Sequence, residues 1–327
     1  MPIWLVVLLA ATGVGIADLL IHLYFGWRAV RLFEACPAFR TDLSQIDARS
    51  TEPFTVTTPD GLRLRGAILL PQSTQRGVVL FLPEAKGNWK TACIHAAGIV
   101  EAGFTVVAMD FRNQGESDVL SEYLPSHWAS EYELVDAQAV LRFIRDQPQF
   151  HGLPIAVHGV SRGATVALAL AAQEVDVQAV ITQGAFTRGP LALHHARSLV
   201  RALCGPLAAI VPDWHIALTL RVTYFLSQRH RQCRDLLPDA DWAQLATRPM
   251  LFFAGTADRY VPAQLVEELA VRCGHDPTVC VRLVPGAKHN QERLTHPQEF
   301  DLDVVNFLQT RLSKSVKIRE QDLAGSR

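Results

Sequence analysis

Charge of either sign is scarce in this sequence. Only 19% of its 327 residues are charged, and 31 basic against 32 acidic side chains leave a formal net charge of -1. A chain so balanced carries no long-range field, so it lacks the electrostatic footprint that nucleic-acid binding requires. Paired cysteine spacings are missing too. Cys36, Cys93, Cys204, Cys233, Cys273 and Cys280 form no C-x-x-C pair and no Cys/His spacing of the kind that holds zinc. A chain this long needs no staples, and an unpatterned set reads as inert thiols in a reducing compartment. No repeat or low-complexity tract appears, which excludes solenoid and fibrous architectures.

Apolar residues, by contrast, are plentiful at 49%, enough for a large core and one sizeable domain with additions. From Ile3 to Ala17 every residue is apolar or small, and after Asp18 the run resumes through Leu19-Leu20-Ile21 to Trp27. As a helix rising about 1.5 Å per residue, Trp4 to Trp27 would cover roughly 35 Å, against a hydrocarbon core of about 30 Å. Trp4 at one end and Tyr24, Phe25 and Trp27 at the other stand where interfacial aromatics are expected. Asp18 opposes insertion by about 2.5 to 3.5 kcal/mol, a cost that its strongly apolar neighbours offset. Residues 1–27 therefore read as a single-pass membrane anchor. A cleaved signal peptide and a helix packed on the domain are the alternatives; the first is disfavoured because no Lys or Arg precedes the run. Arg28, Arg31 and Arg40 follow it, which places the large domain in the cytoplasm by the positive-inside rule.

Residues 28–52 read as a linker and 53–313 as the main domain, with a polar tail over 314–327. Phe54-Thr55-Val56-Thr57, the turn Pro59-Asp60-Gly61 and Leu62 to Leu69 read as an alternating hairpin. Short apolar runs follow at Gly77 to Leu82, Thr105 to Met109, Ile155 to His158, Ala179 to Thr182, Met250 to Ala254 and Val279 to Val284. Helical stretches such as Ala96 to Ala102, Glu131 to Arg145 and Arg162 to Gln173 separate them. Strands alternating with helices predict an α/β fold whose mainly parallel sheet is covered on both faces. In such sheets, sites gather at the carboxyl ends of the strands.

One run ends in His158-Gly159-Val160-Ser161-Arg162-Gly163 and passes at once into an apolar helix. G-x-S-x-G between strand and helix is the nucleophile elbow, in which the glycines relieve crowding around a turn that presents the serine Oγ. A serine hydroxyl is a poor nucleophile until a base takes its proton, so the elbow calls for a later acid and then a later histidine, each just past a strand. Asp258, in Gly255-Thr256-Ala257-Asp258-Arg259-Tyr260-Val261-Pro262, and His289, in Pro285-Gly286-Ala287-Lys288-His289, answer that requirement. Taken alone, Asp258 reads as a helix N-cap and His289 as a surface loop histidine. Their order after Ser161 favours the triad. His158 reads as a packed core residue, and His194, His195, His215 and His230 belong to an insertion.

With Asp110-Phe111-Arg112-Asn113-Gln114-Gly115-Glu116-Ser117 added to these motifs, the chain from about Phe54 to Leu312 resembles the α/β-hydrolases of the serine aminopeptidase and acyl-hydrolase (S33) kind. Members typically carry "DYRGxGxS", "GxSxG", "GxxDxxVP" and a final histidine. The resemblance implies that backbone N–H groups of Ala85 and Arg162 form an oxyanion hole. One motif departs from the family pattern. His-Gly after the third strand is replaced by Pro83-Glu84, with Ala85-Lys86-Gly87-Asn88 following. An inward carboxylate there would oppose developing negative charge, and loss of one oxyanion donor costs about 100- to 1000-fold in rate. The expectation is that Glu84 and Lys86 face solvent and the backbone is preserved.

The insertion over about 187–240 reads as an apolar helical cap over the site. Together these features predict a membrane-tethered serine hydrolase acting on a carboxylic ester or related acyl bond of a small or lipid-like substrate, with no metal or organic cofactor implied. Thioesterase, lipase or aminopeptidase activity on the same triad are alternatives, as is a catalytically silent interaction module. Oligomeric state is not readable.

Overall fold

The computed structural model describes residues 1–35, 51–236, 242–274 and 278–324. Its elements in chain order are α1 (Ile3–Glu34), β1 (Thr51–Thr57), β2 (Arg63–Leu69), β3 (Gly77–Leu82), α2 (Ala92–His95), α3 (Ala97–Glu101), β4 (Phe104–Met109), α4 (Glu131–Asp146), β5 (Ile155–Val160), α5 (Arg162–Gln173), β6 (Val177–Gln183), α6 (Arg188–Cys204), α7 (Asp213–Arg231), α8 (Trp242–Leu245), β7 (Met250–Gly255), α9 (Ala263–Cys273), β8 (Val279–Val284), α10 (Glu292–Thr295) and α11 (Pro297–Ala324).

Two compact units emerge. The larger holds 36–121, 125–187 and 234–327. Among the described residues its sheet has eight strands, in the order β1-β2-β4-β3-β5-β6-β7-β8. The expected hairpin pairs β1 with β2 antiparallel, and β2 meets β4 antiparallel. From β4 to β8 every pairing is parallel. β3, β4, β5 and β7 are buried along their whole length, which is why they appear as unbroken apolar runs rather than alternating ones. Chain order reverses around β3, whose neighbours are β4 and β5. That is a topological switch point, where ligands bind beyond the strands' carboxyl ends.

The smaller unit comprises 1–35, 122–124 and 188–233. The insertion appears in it as α6 and α7, and α1 lies against α7. In the second half of α1, Asp18, His22, Gly26, Ala29, Val30, Phe33 and Glu34 are covered, a stripe recurring at the three- to four-residue spacing that one helix face requires. A Cβ at Gly26 would come within 2.6 Å of Val222 Cγ1, so glycine permits the close approach. Thr223 Oγ1 donates to the Gly26 carbonyl (3.2 Å), and the Phe33 and Tyr224 rings lie 5.2 Å apart.

From Ile3 to Ala17 no residue is buried, and an 18-residue stretch of α1 reaches a mean hydropathy of 2.2 with none of it buried. The helix is thus long and apolar enough to cross a membrane, while its second half packs on α7. Two expectations need correction. Residues 28–34, read as linker, continue α1, because Ala29, Val30 and Phe33 extend the covered stripe. The tail expected from 314 is helical as far as Ala324 in α11. The rest of the expected linker, 36–50, lies outside the described residues.

Candidate active site

Ser161 stands between β5 and α5 with φ 52° and ψ -113°, a conformation that L residues rarely adopt. Its neighbours enforce the strain. Its amide N–H donates to the Gln183 carbonyl at the end of β6 (2.8 Å). A Cβ on Gly163 would lie 2.1 Å from the Leu82 carbonyl oxygen, and one on Gly159 would lie 2.3 Å from that of Gly163. Gly163 is therefore demanded by backbone packing against the end of β3, and Gly159 by packing within the elbow itself. The turn leaves Oγ 2.8 Å from His289 Nε2.

His289 follows β8, and its Nδ1 lies 2.7 Å from Asp258 Oδ2. Asp258 follows β7, where its other oxygen accepts the N–H groups of Tyr260 and Val261, both at 2.8 Å. The carboxylate is thus fixed by its own loop before it meets the imidazole. Its alternative reading, a cap on the next helix, fails because Pro262 occupies that position in α9. Ser161, Asp258 and His289 are all buried, with His289 4% exposed. Three side chains distant in sequence form one continuous hydrogen-bonded chain at the carboxyl edge of the sheet.

The positions expected to form an oxyanion hole flank a cavity of about 310 Å³ lined by Ala85, Lys86, Gln114 and Arg162 among others. Arg162 opens α5, so its N–H lies at a helix amino terminus, where negative charge is favoured. Its side chain turns away into the core. The guanidinium donates to the Ser126 carbonyl (2.9 Å) and to Gln114 Oε1, and stands 3.3 Å from Glu133.

Glu84 corrects an expectation: it is buried, only 2% exposed, rather than facing solvent. Its carboxylate accepts from Thr91 Oγ1 (3.2 Å), and its carbonyl accepts the Gly87 N–H (3.0 Å). The loop curls so tightly that a Cβ at Gly87 would meet the Glu84 carboxyl carbon at 2.6 Å. Glycine at 87 makes room for the acid. Lys86 is exposed as expected, with φ 64°.

The Asp110-to-Ser117 motif holds this loop in place. Asp110 accepts the amides of Trp89 (2.6 Å) and Glu116 (2.8 Å), and Ser117 Oγ donates to the Asp110 carbonyl (2.8 Å). Arg112, fully buried, is paired with Asp136 (2.6 Å) and Asp60 (2.7 Å). His158 is a core residue as expected, within 2.9 Å of Gln183 Nε2, and burial pushes its pKa down to about 3.

Two features were not read from the sequence. The first is a ring of aromatics beside the imidazole. Tyr260 meets His289 edge-on at 5.0 Å, and the ring continues through His127 (5.8 Å), Trp128 (4.2 Å) and Phe186 (5.8 Å). Phe186 and Tyr260 follow strands, a position that could have flagged them; His127 and Trp128 sit in an irregular segment with no pattern to find. The second is Glu292. It is wholly buried, neither carboxyl oxygen has a hydrogen-bond partner among the described residues, and burial raises its pKa to about 8, with the charge of Asp258 adding to the shift. Its surroundings favour the neutral, protonated acid.

A family model described as "Alpha/beta hydrolase family" matches residues 79–301, most of the chain. The chain belongs to the alpha/beta hydrolase family. An uncharacterized protein of Mycobacterium tuberculosis is 27% identical to this hydrolase over 240 residues, covering 73% of this chain and 72% of the relative. Among solved structures, the Pyrococcus furiosus esterase Pf2001 is similar with a TM-score of 0.60 at 18% identity, over 85% of this chain and 98% of that one. The alpha/beta hydrolase GrgF from a Penicillium species gives 0.57 at 16% identity, over 80% and 99%. At such identities the likeness is one of fold.

Proposed function

We propose that this protein is a membrane-tethered serine hydrolase that cleaves a carboxylic ester or related acyl bond through an acyl-enzyme. The observation that carries the reading is the unbroken chain from Ser161 Oγ through His289 to Asp258, with the serine held in a strained elbow. In this reading Ser161 attacks the carbonyl carbon while His289 Nε2 takes its proton, then returns it to the leaving group. Asp258 holds the Nδ1–H tautomer and stabilises the imidazolium. The developing oxyanion sits against the N–H groups of Ala85 and Arg162. Water then enters, loses a proton to His289 and releases the acid, regenerating Ser161.

The aromatic ring beside His289 favours an apolar acyl group over a charged one. Similarity in fold to an esterase supports the ester over the thioester or amide, and within the family the motifs favour the serine aminopeptidase and acyl-hydrolase branch. The uncovered apolar half of α1 supports a single-pass anchor, and Arg28, Arg31 and Arg40 beyond it favour a cytoplasmic hydrolase domain by the positive-inside rule.

A fluorophosphonate probe tests the reading on the full chain in detergent. Covalent labelling of wild type, absent from Ser161→Ala, is the expected result; an unlabelled wild type of native helicity overturns it.

A further inference from the structure

The smaller unit holds a cluster that the hydrolase chemistry does not use. Asp18 and His22 stand one turn apart on the same face of α1, and His215 joins them from the first turn of α7. His22 Nε2 lies 3.4 Å from Asp18 Oδ2, His215 Nε2 lies 3.8 Å from Asp18 Oδ1, and the three donor atoms are all within 4.8 Å of one another. We propose that Asp18, His22 and His215 form a binding site for a divalent transition-metal cation of the zinc type, which ties α1 to α7.

Four observations support the site. The donor set, two imidazoles and one carboxylate, is one that zinc accepts with a water completing four-coordination. Bonds of about 2.0 to 2.1 Å set at tetrahedral angles would place donor atoms roughly 3.3 Å apart, so the 3.4 and 3.8 Å approaches to the carboxylate are already near that value, and the widest pair, within 4.8 Å, would have to draw together. His22 is 5% exposed, yet among the described residues its Nε2 has no hydrogen-bond partner, and it faces the Asp18 carboxylate at 3.4 Å. Leaving a buried polar atom uncommitted costs about 1 to 3 kcal/mol, which a bound cation would offset.

The fourth observation is the far side of the same ring. His22 Nδ1 lies 2.8 Å from Thr219 Oγ1. When that nitrogen carries the proton, the Nε2 lone pair faces the cluster, the arrangement metal-ligating histidines share. Asp18 and His215 are partly exposed, with 44% and 29% of their side chains accessible, leaving a way in for the ion and its water. Spacing rules could not have found this site, because its ligands come from helices far apart in the chain.

The test uses the full chain in detergent micelles, stripped with a chelator, reloaded with Zn²⁺ and desalted before elemental analysis. One ion per chain is expected, and Co²⁺ in its place should give visible ligand-field bands of four-coordinate intensity. Asp18→Asn and His215→Gln should each weaken binding at least about 10-fold, and Thr219→Val, which frees the ring of His22, about 10- to 100-fold. Circular dichroism establishes that each variant keeps its helices; should His22→Ala fail to fold, the other three still decide. A wild type that retains no metal, or one whose affinity is untouched in all the folded variants, overturns the proposal and leaves a hydrogen-bonded polar cluster between two helices.

Discussion

A Cβ placed on Gly184 would stand 2.9 Å from Cε1 of His289. Gly184 has φ +57° at the end of β6, so the missing side chain gives the imidazole its place and the backbone its turn. Gly184→Ala should push His289 off its line to Ser161, and a misplacement of about 1 Å costs on the order of 100-fold in rate. Steady-state kinetics on a chromogenic ester would show the loss mainly in kcat. Wild-type kcat in this variant would mean that the imidazole moves freely and the contact is idle.

Asp258→Asn removes the charge that supports the imidazolium and allows the wrong tautomer, while keeping the side chain's shape. A fall of about 10⁴-fold in kcat is expected. Hydrolysis within about tenfold of wild type would transfer the orienting role to another group.

Glu292 gives a pH signature of stability. Its folded-state pKa of about 8 lies above the usual 4.5, so the folded protein holds this proton more tightly than the unfolded chain does. Its contribution is complete below about pH 4.5 and is lost as pH rises through about 8. Melting temperature should therefore decline across that window, and Glu292→Gln, which cannot ionise, should flatten the decline. Parallel melting curves against pH for the two proteins would show that the acid ionises without cost.

Trp128 and Phe186 meet edge to face at 5.8 Å in the aromatic ring beside the imidazole. Trp128→Ala should lower kcat/KM for octanoyl esters by about 10-fold or more while changing acetyl esters little, since a methylene group in an apolar site contributes about 0.8 kcal/mol. Equal losses on both substrates would indicate a purely structural tryptophan.

The α1–α7 contact can be probed at its tightest point. Gly26→Ala should destabilise the protein by about 1 to 3 kcal/mol through overpacking against Val222. Adding Val222→Ala should restore part of it, a coupling that a double-mutant cycle in detergent would measure. Strict additivity would mean that the helices separate freely.

Much of the sheet was legible because its strands are buried on both sides. Gly77 to Leu82 coincides with the wholly buried β3, and Arg162 to Gln173 with α5; Val279 to Val284 coincides with β8, although that edge strand is half-exposed. The three residues of the hydrogen-bonded chain were legible because order and strand position constrain them together. The oxyanion loop resisted reading. Burial of Glu84 depends on the missing Cβ of Gly87 three residues on and on a hydroxyl at Thr91, neither of which leaves a pattern. Helix α1 resisted for a different reason. Its composition signals a span, but the stripe through His22, Gly26 and Phe33 that meets α7 mixes polar, small and aromatic residues, so no apolar periodicity betrays it.

That double allegiance bears on how the protein can be handled. A chain begun after Ala35 to gain solubility would lose more than its hold on lipid. It would strip the surface of α7 along Thr219, Val222, Thr223 and Tyr224, trading one greasy exterior for another and inviting aggregation.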